Sequence, residues 1–542
     1  GGAVQFCTMA NLVHPRTVDE SVTHDGVGDV PGIKGTDGWW DLRGHAFRAV
    51  EIDQDRLALF ASLYDEPGTD PLEARLPVVH SEEIVNVLRR FSEQPFKLGS
   101  MGDQVFGTPH WNETGAQKDG TISRETRYPK DVTEWILQGP HLYVGTPLNK
   151  TPNEGCNHNQ DYTSIDLTAI PEDYLPRTNY VPACDPAEYA VRSPRWHETS
   201  IVDFPRVAFR AMLSPTGERT LISAVIPPGP AHINGVHSYW LGSVRSTFLF
   251  AALCQSLVLD FFVKSTGRTN LHSMPYLFPM VPDAEGTADC LVALSARLNC
   301  LTKRYSKAWS ELGLPTGYSY LHSGGGPRLP GLGATFSSWE WSKPIRSDLG
   351  RRQALVEIDV LASIALGLSL EDLTAIYRVQ FPVLQQYERE RLYDQNGRQI
   401  PTSSTAAGEA AVSLVKLGEI LKEQVGFDLT REYLPADDET VELLAKTIKI
   451  GKKEAGVLGV SERCTMADIM VTTTVTYYDE ERPEGYEVEL VGIRYIDPGL
   501  EPPMERVYPT PWTRCDREED YRVAWAEFER RLGRASDAEV QA

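Results

Sequence analysis

Between Phe248 and Val263 the chain reads FLFAALCQSLVLDFFV, an apolar run broken only by Gln255, Ser256 and Asp260. A helix apolar on every side must be enclosed on every side, by lipid or by protein. The run falls short of the ~20 residues that a bilayer span needs and carries polar groups within it, so a protein core is the expectation, with no membrane segment. It reads as a buried helix that breaks at Gly267 and delivers Thr269, Asn270, Leu271 and His272 to a surface.

Two segments stand directly before it. RVAFRAM (Arg206 to Met212) alternates, SPTGERT turns, and TLISAVIPPGPAHINGVHSYW (Thr220 to Trp240) returns. Period-two alternation around a Thr/Gly turn predicts paired strands. Further along, TADCLVALSARLNCLTKRYSKAWSEL (Thr287 to Leu312) predicts one long helix, and a Gly/Pro hinge follows at His322 to Gly333. Asp348 to Leu368 predicts a helix closed by Gly367, with Ser369 capping the next. Ser81 caps a helix over SEEIVNVLRRF, helices are expected near 409–424 and 438–453, and Met466 to Asp497 reads as a hairpin with an acidic turn. The expected class is α+β and multidomain. A connector spans 1–127, a recognition-like domain 128–330, a helical block 331–400 and an acidic region 401–542.

The net charge of −22 argues against a general polyanion binder. It is unevenly spread. Residues 401–542 hold 29 acidic and 17 basic residues, whereas 201–280 hold six basic (Arg206, Arg210, Arg219, Arg245, Lys264, Arg268) against three acidic. A locally positive ledge on an acidic body is therefore expected. The eight cysteines show no C-x-x-C pair, which argues for reduced thiols and against a zinc site. No signal-peptide pattern precedes the first strand, so the expected location is cytoplasmic.

No complete catalytic centre is visible. An amino-methylating enzyme needs an Asp/Asn-Pro-Pro-aromatic loop to hold the extruded base. The nearest strings, Gly145-Thr146-Pro147-Leu148 and Glu501-Pro502-Pro503-Met504, lack both amide and aromatic. GGGPRLPGLG reads as a hinge rather than a phosphate cradle. Glu357 with Asp359, and Glu487 with Glu489, have no lysine two positions on as a nuclease core would want, and His232 reads as a structural histidine. The aromatics Trp39, Trp40, Trp111, Trp135, Trp196, Tyr239 and Trp240 could stack on bases but read first as packing residues.

Several ordered strings resemble the C-terminal half of fused restriction–modification adenine methyltransferases, the type IIG family, and the large adenine methylases of DISARM-type phage-defence clusters. They are RYPKDVTEWILQGPHLYVGTPLNKTP, DLTAIPEDYLPRTNYVPACD, GERTLISAVIPPGPAHINGVHSYW, LCQSLVLDFFVKSTGRTNLHSMPYLFPMVP and ALVEIDVLASIALGLSLEDLTAIYRVQFPVLQQYERERLYDQNGR. The third and fourth are similar to a target-recognition domain in which a strand pair leads to an (N/Q)-S-x-x-x-D-F helix and a G-x-T-N-L-(N/H) turn. The likeness departs from the family at Gly145 to Leu148, and His272 stands where the family often has Asn. The resemblance implies a DNA-recognition and scaffold portion of an S-adenosylmethionine-dependent adenine N6 methyltransferase. The methyl donor and the catalytic domain would then belong to the complete enzyme, upstream or on another chain, with double-stranded DNA and possible further defence-system subunits as partners. The alternative is a non-catalytic interaction subunit of a defence complex, docking through Asp348 to Arg391.

On this reading Asn270 pairs with adenine and Arg219 or Arg268 with guanine in the major groove, since those side chains match those base edges. Lys264, Arg245 and Arg210 meet phosphates, which fixes register without reading sequence. Arg206, Asn234, His237, Thr269 and His272 complete the candidate set.

Overall fold

The computed structural model describes residues 4–533 apart from 36, 159, 283–285, 315–337, 402–403, 407–408, 412–413, 435–441, 443–448, 451–463, 478–481, 483–484 and 498–503. The hinge expected at His322 to Gly333 and nearly all of the helix expected at 438–453 lie outside the described residues.

The fold is mixed α+β, with several small sheets set among helices. Its centre is a four-stranded antiparallel sheet of β1 (Phe106–Thr108), β2 (Arg206–Arg210), β3 (Ser223–Ile226) and β4 (Val236–Trp240), in the order β3-β2-β4-β1. The two alternating segments do pair: Val207 faces Val225 on one side and Tyr239 on the other. Both faces are covered. Val207, Phe209 and Val225 enter the main core, whereas Ala208, Ala224 and Ile226 pack against Trp135, Leu137 and Leu142 behind the sheet. β1 approaches β4 so closely that a Cβ on Gly107 would lie 2.4 Å from the Tyr239 ring, so only glycine fits there.

The apolar run forms two helices, α3 (Val244–Gln255) and α4 (Leu257–Lys264), bent by 67°. This corrects the single helix expected up to Gly267. Ser256 closes α3 and opens α4, its Oγ donating to Leu253 O (2.6 Å) and accepting from Leu259 N (3.2 Å). The Leu257 N–H is taken by Asp359 Oδ1 at 2.6 Å. A helix start needs partners for its first N–H groups, and a serine cap plus a carboxylate from another helix supply them here. Among the described residues no single helix is long and apolar enough to cross a membrane, and this bent pair is buried almost throughout.

The flanking helices enclose the pair. α1 (Gln54–Tyr64) and α2 (Glu82–Ser92) precede the sheet, with Ser81 at the cap position of α2. α5 is shorter than expected, Thr287–Asn299, followed by separate helical turns at Lys303–Tyr305 and Ser306–Ser310. Asn299 explains the stop: its Oδ1 accepts from Val225 N (2.8 Å) while its Nδ2 donates to Ser295 O (2.7 Å), pinning the helix end to β3. α6 (Asp348–Ala365), α7 (Leu370–Gln380) and α8 (Pro382–Glu390) follow, with Gly367 at φ +72° and Ser369 capping α7. α6 is buried at every position from Leu349 to Ile364 except Leu355.

One apolar core runs from Val50 to Leu384, across residues 127/128 and 330/331 where the sequence places boundaries. A second core, from Leu392 to Trp512, joins α9 (Leu414–Val425) to an antiparallel sheet of β5 (Met470–Tyr477), β6 (Tyr486–Asp497) and β7 (Met504–Pro509). The two expected strands pair, Met470 facing Ile493 and Tyr477 facing Tyr486, after a short helical turn at Met466–Ile469, and most of the acidic turn expected between them lies outside the described residues. The last helix, α10 (Arg517–Arg531), returns to the first core through Tyr521, Ala524 and Phe528. The seven described cysteines are free thiols.

Candidate nucleic-acid interface

The segment leaving α4 is tied down at its root. Ser265 Oγ meets Tyr64 OH at 2.7 Å, and Val78 N donates to Ser265 O at 2.8 Å. Gly267, at φ +64°, reverses the chain. Residues 269–271 then run antiparallel to 211–213: Leu213 N donates to Thr269 O (2.9 Å), Leu271 N donates to Ala211 O (2.8 Å), and Met212 bridges Asn270. Leu271, expected at the surface with its neighbours, is instead fully buried and anchors the turn, while Thr269 and His272 are exposed. His272 sits at φ +42°, an uncommon conformation for a residue with a Cβ and one that occurs in constrained turns. Asn270 Oδ1 accepts from His272 N at 3.1 Å, which fixes the amide and leaves its Nδ2 donors free among the described residues.

The candidate cations fare differently. Arg219 is buried, its Nε donating to Asp260 Oδ2 (2.6 Å) and its Nη2 to Gln255 O (2.8 Å). Arg206 is also fully buried, reaching Pro230 O and Ser238 Oγ, and burial pulls its pKa down to about 9. Neither guanidinium can face a base edge in this fold, which corrects both assignments. Arg210 donates to Gly139 O and Leu142 O, Arg245 pairs with Asp289 at 2.8 Å, and Lys264 lies 4.8 Å over the Phe381 ring with burial lowering its pKa. The local excess of basic residues is thus spent mostly on the interior. It does not make the broad positive ledge that the composition suggested.

Arg268 is the exception. Its guanidinium has no hydrogen-bond or ion-pair partner among the described residues. Partial burial and the nearby charge of Arg75 lower its pKa, and Asp65 offsets part of this. Arg75 itself pairs with Asp65 at 3.1 Å on an exposed loop. Arg268 thus stands near the Arg75–Asp65 pair, at the root of an exposed polar turn.

His237, on β4, lies half-buried against the His272 backbone, with burial lowering its pKa. Asn234 is exposed, its Oδ1 accepting from Glu113 N (3.1 Å), which commits the side chain to a loop contact. The fold therefore gathers Arg268, Thr269, Asn270, His272 and His237 and leaves the other candidates elsewhere. Sequence reasoning missed Arg75 and Met212. Arg75 comes from a loop far back in the chain with no local pattern to mark it. Met212 was read as the end of an alternating strand, yet it is 77% exposed between buried Ala211 and Leu213.

The remaining chemical candidates prove structural. Thr146 and Leu148 are buried, and Arg351 donates to Gly145 O (2.6 Å) and Thr146 Oγ1 (2.7 Å), so this turn presents nothing to a substrate. Asp359 is enclosed with Arg517 and Tyr521, and Glu357 is buried on the same helix. Glu487 and Glu489 lie on the exposed face of β6. His232 is a satisfied core histidine, its Nε2 2.8 Å from Ser238 Oγ and its pKa lowered to about 3 by burial and the Arg206 charge. Trp111, Trp135, Tyr239 and Trp240 are buried, whereas Trp39 and Trp40 are exposed, Lys34 resting 5.4 Å over Trp40. Among the described residues there is no group of side chains that could hold a metal ion. A methyl-donor cradle of the doubly wound type sits at the ends of parallel strands. Among the described residues the strand ladders of three or more residues are antiparallel, so none of them forms a cradle of that type.

Neither a protein-family model nor a curated protein matches this sequence.

Proposed function

We propose that this chain is the DNA-recognition and scaffold portion of a site-specific adenine N6 methyltransferase of a restriction–modification or phage-defence system. The methyl donor would be held by a catalytic domain outside these residues. The observation that carries the DNA-binding part is the Arg268 guanidinium near Arg75, without a hydrogen-bond or ion-pair partner among the described residues, at the root of the fixed turn Thr269–His272. Arg268 and Arg75 would meet phosphates, while Asn270 and His272 would reach base edges. The methyltransferase part rests on the ordered strings that resemble that family.

The four-stranded sheet and the bent helix pair give this turn a rigid base, as a reading element requires. The alternative, docking through Asp348 to Arg391, has less to stand on, because α6 lies inside the core.

Selection of bound duplexes from a randomised pool tests this reading. The full chain should enrich a short sequence motif, and Asn270→Ala with His272→Ala should relax it while keeping overall binding. A pool recovered without enrichment by the wild-type chain would overturn recognition.

A further inference from the structure

Single exposed apolar side chains are common on protein surfaces and need no explanation by themselves. Met212 differs from that case in how its backbone is held. Ala211 N donates to Gly235 O (3.0 Å), Ala211 O accepts from Leu271 N (2.8 Å), and Leu213 N donates to Thr269 O (2.9 Å). The residues on either side are buried, so the segment has no freedom to fold Met212 inward. A thioether 77% exposed thus stands where three segments of the chain are bonded together, bridged to Asn270, with Thr269 and His272 exposed on the same facing segment. Arg268, whose guanidinium has no hydrogen-bond or ion-pair partner among the described residues, leads into the same turn.

We infer that Met212 is a wedge that enters the base stack of a bound duplex at the step read by this turn. Three physical points support it. Apolar side chains, methionine among them, are used to part base steps, because they fill the opened gap without competing for the bases' hydrogen bonds. The methionine sulfur is polarisable and packs well against aromatic faces. The polar groups of that segment can meet the base edges and backbone on either side of the gap, so the wedge and the reading groups act at one place. This inference rests on the DNA-recognition reading above and adds to it a deformation of the duplex.

A wedge favours DNA whose stacking is already weakened, because less unstacking is then needed. The test compares a duplex of about 30 base pairs with the same duplex carrying one T·T mismatch, using the full chain. The wild type is expected to favour the mismatched duplex by about fivefold or more. Met212→Ala should lose the preference, binding the intact and the mismatched duplex within about twofold of one another. Met212→Leu, which keeps an apolar wedge, should retain it. Arg268→Ala should weaken both duplexes alike. An equal affinity of the wild type for the two duplexes, or a preference that survives Met212→Ala, overturns the wedge and leaves DNA binding standing. Binding to neither duplex overturns the DNA-recognition reading, and the wedge with it. An unchanged thermal midpoint for Met212→Ala shows that the variant is folded, as its exposure implies.

Discussion

Arg517 Nη1 lies 3.0 Å from Asp359 Oδ2, both groups buried, so the first turn of α10 is tied to the middle of α6 from 158 positions away. Tyr521 OH donates to the same oxygen at 2.7 Å, and the other Asp359 oxygen caps α4 through Leu257 N. Arg517 also reaches Glu388 (3.2 Å), which binds Arg352, which in turn reaches Asp520 on α10 (2.6 Å). One charge network thus joins α4, α6, α8 and α10. Burial would raise the Glu388 carboxyl, but Arg517 and Arg352 overcome this and hold it at about 2.

Removing one member of such a network leaves its partners charged and buried. Glu388→Gln takes one of two carboxylates from each of Arg352 and Arg517, which keep Asp520 and Asp359, and should cost roughly 3 kcal/mol. Urea unfolding followed by circular dichroism should show that loss. A smaller change than about 1 kcal/mol would mean that the pairs are open to water.

Arg219 and Arg268 should separate cleanly. Arg219→Ala strands Asp260 in the core, where its oxygens also accept from Thr220 N (3.0 Å) and Leu221 N (3.1 Å). It should destabilise the fold by several kcal/mol, on the order of 3. Arg268→Ala should leave stability within about 0.5 kcal/mol and act on DNA binding alone. Thermal melts of the two variants, set beside duplex affinities, check the contrast.

Acid should weaken the fold through histidines buried neutral. His80 Nε2 donates to Pro31 O (2.8 Å) while its Nδ1 accepts from Asn11 Nδ2 (3.3 Å), and burial lowers its pKa from 6.5 to about 4. His141 is lowered likewise to about 4 by burial, between Gln138 N and Arg177 O. For both, the unfolded chain takes up a proton first, so their contribution is intact above pH 6.5 and is lost as pH falls towards 4. The loss is roughly 3 kcal/mol for each group. Stability measured across that window should fall with pH, and His141→Gln should flatten the slope. A flat profile in the wild type would contradict the burial of these rings.

Gly107→Ala puts a methyl into the Tyr239 ring, 2.4 Å away where van der Waals contact needs more than 3 Å. The ring must move, at a cost of about 1–3 kcal/mol. Because Tyr239 OH donates to His272 O (3.4 Å), the same variant should also loosen the reading turn. Faster amide exchange at residues 269–272 would register it.

Much of this architecture was legible locally. The alternation in RVAFR and SAVI marks buried strands, and Ser81 and Ser369 mark helix starts, because strand phase and capping depend on neighbours in sequence. The fate of the arginines was not legible. Whether Arg219 faces DNA or Asp260 is decided by a carboxylate 41 positions away. The break at Ser256 depends on Asp359, 102 positions on, and the pairing of Asn270 with Met212 depends on how the sheet meets α4. Composition counted six cations over residues 201–280, and among the described residues Arg268 is the one of those six whose side chain has no partner.

The claim that the Arg268–His272 turn touches DNA is tested most directly by the salt dependence of duplex binding. The logarithm of the association constant should fall linearly with the logarithm of salt concentration for the wild-type chain. Arg268→Ala should reduce the slope by about 1, and pairing it with Arg75→Ala by about 2. A wild-type chain whose duplex binding ignores salt, or an Arg268→Ala variant with the wild-type slope, would contradict it.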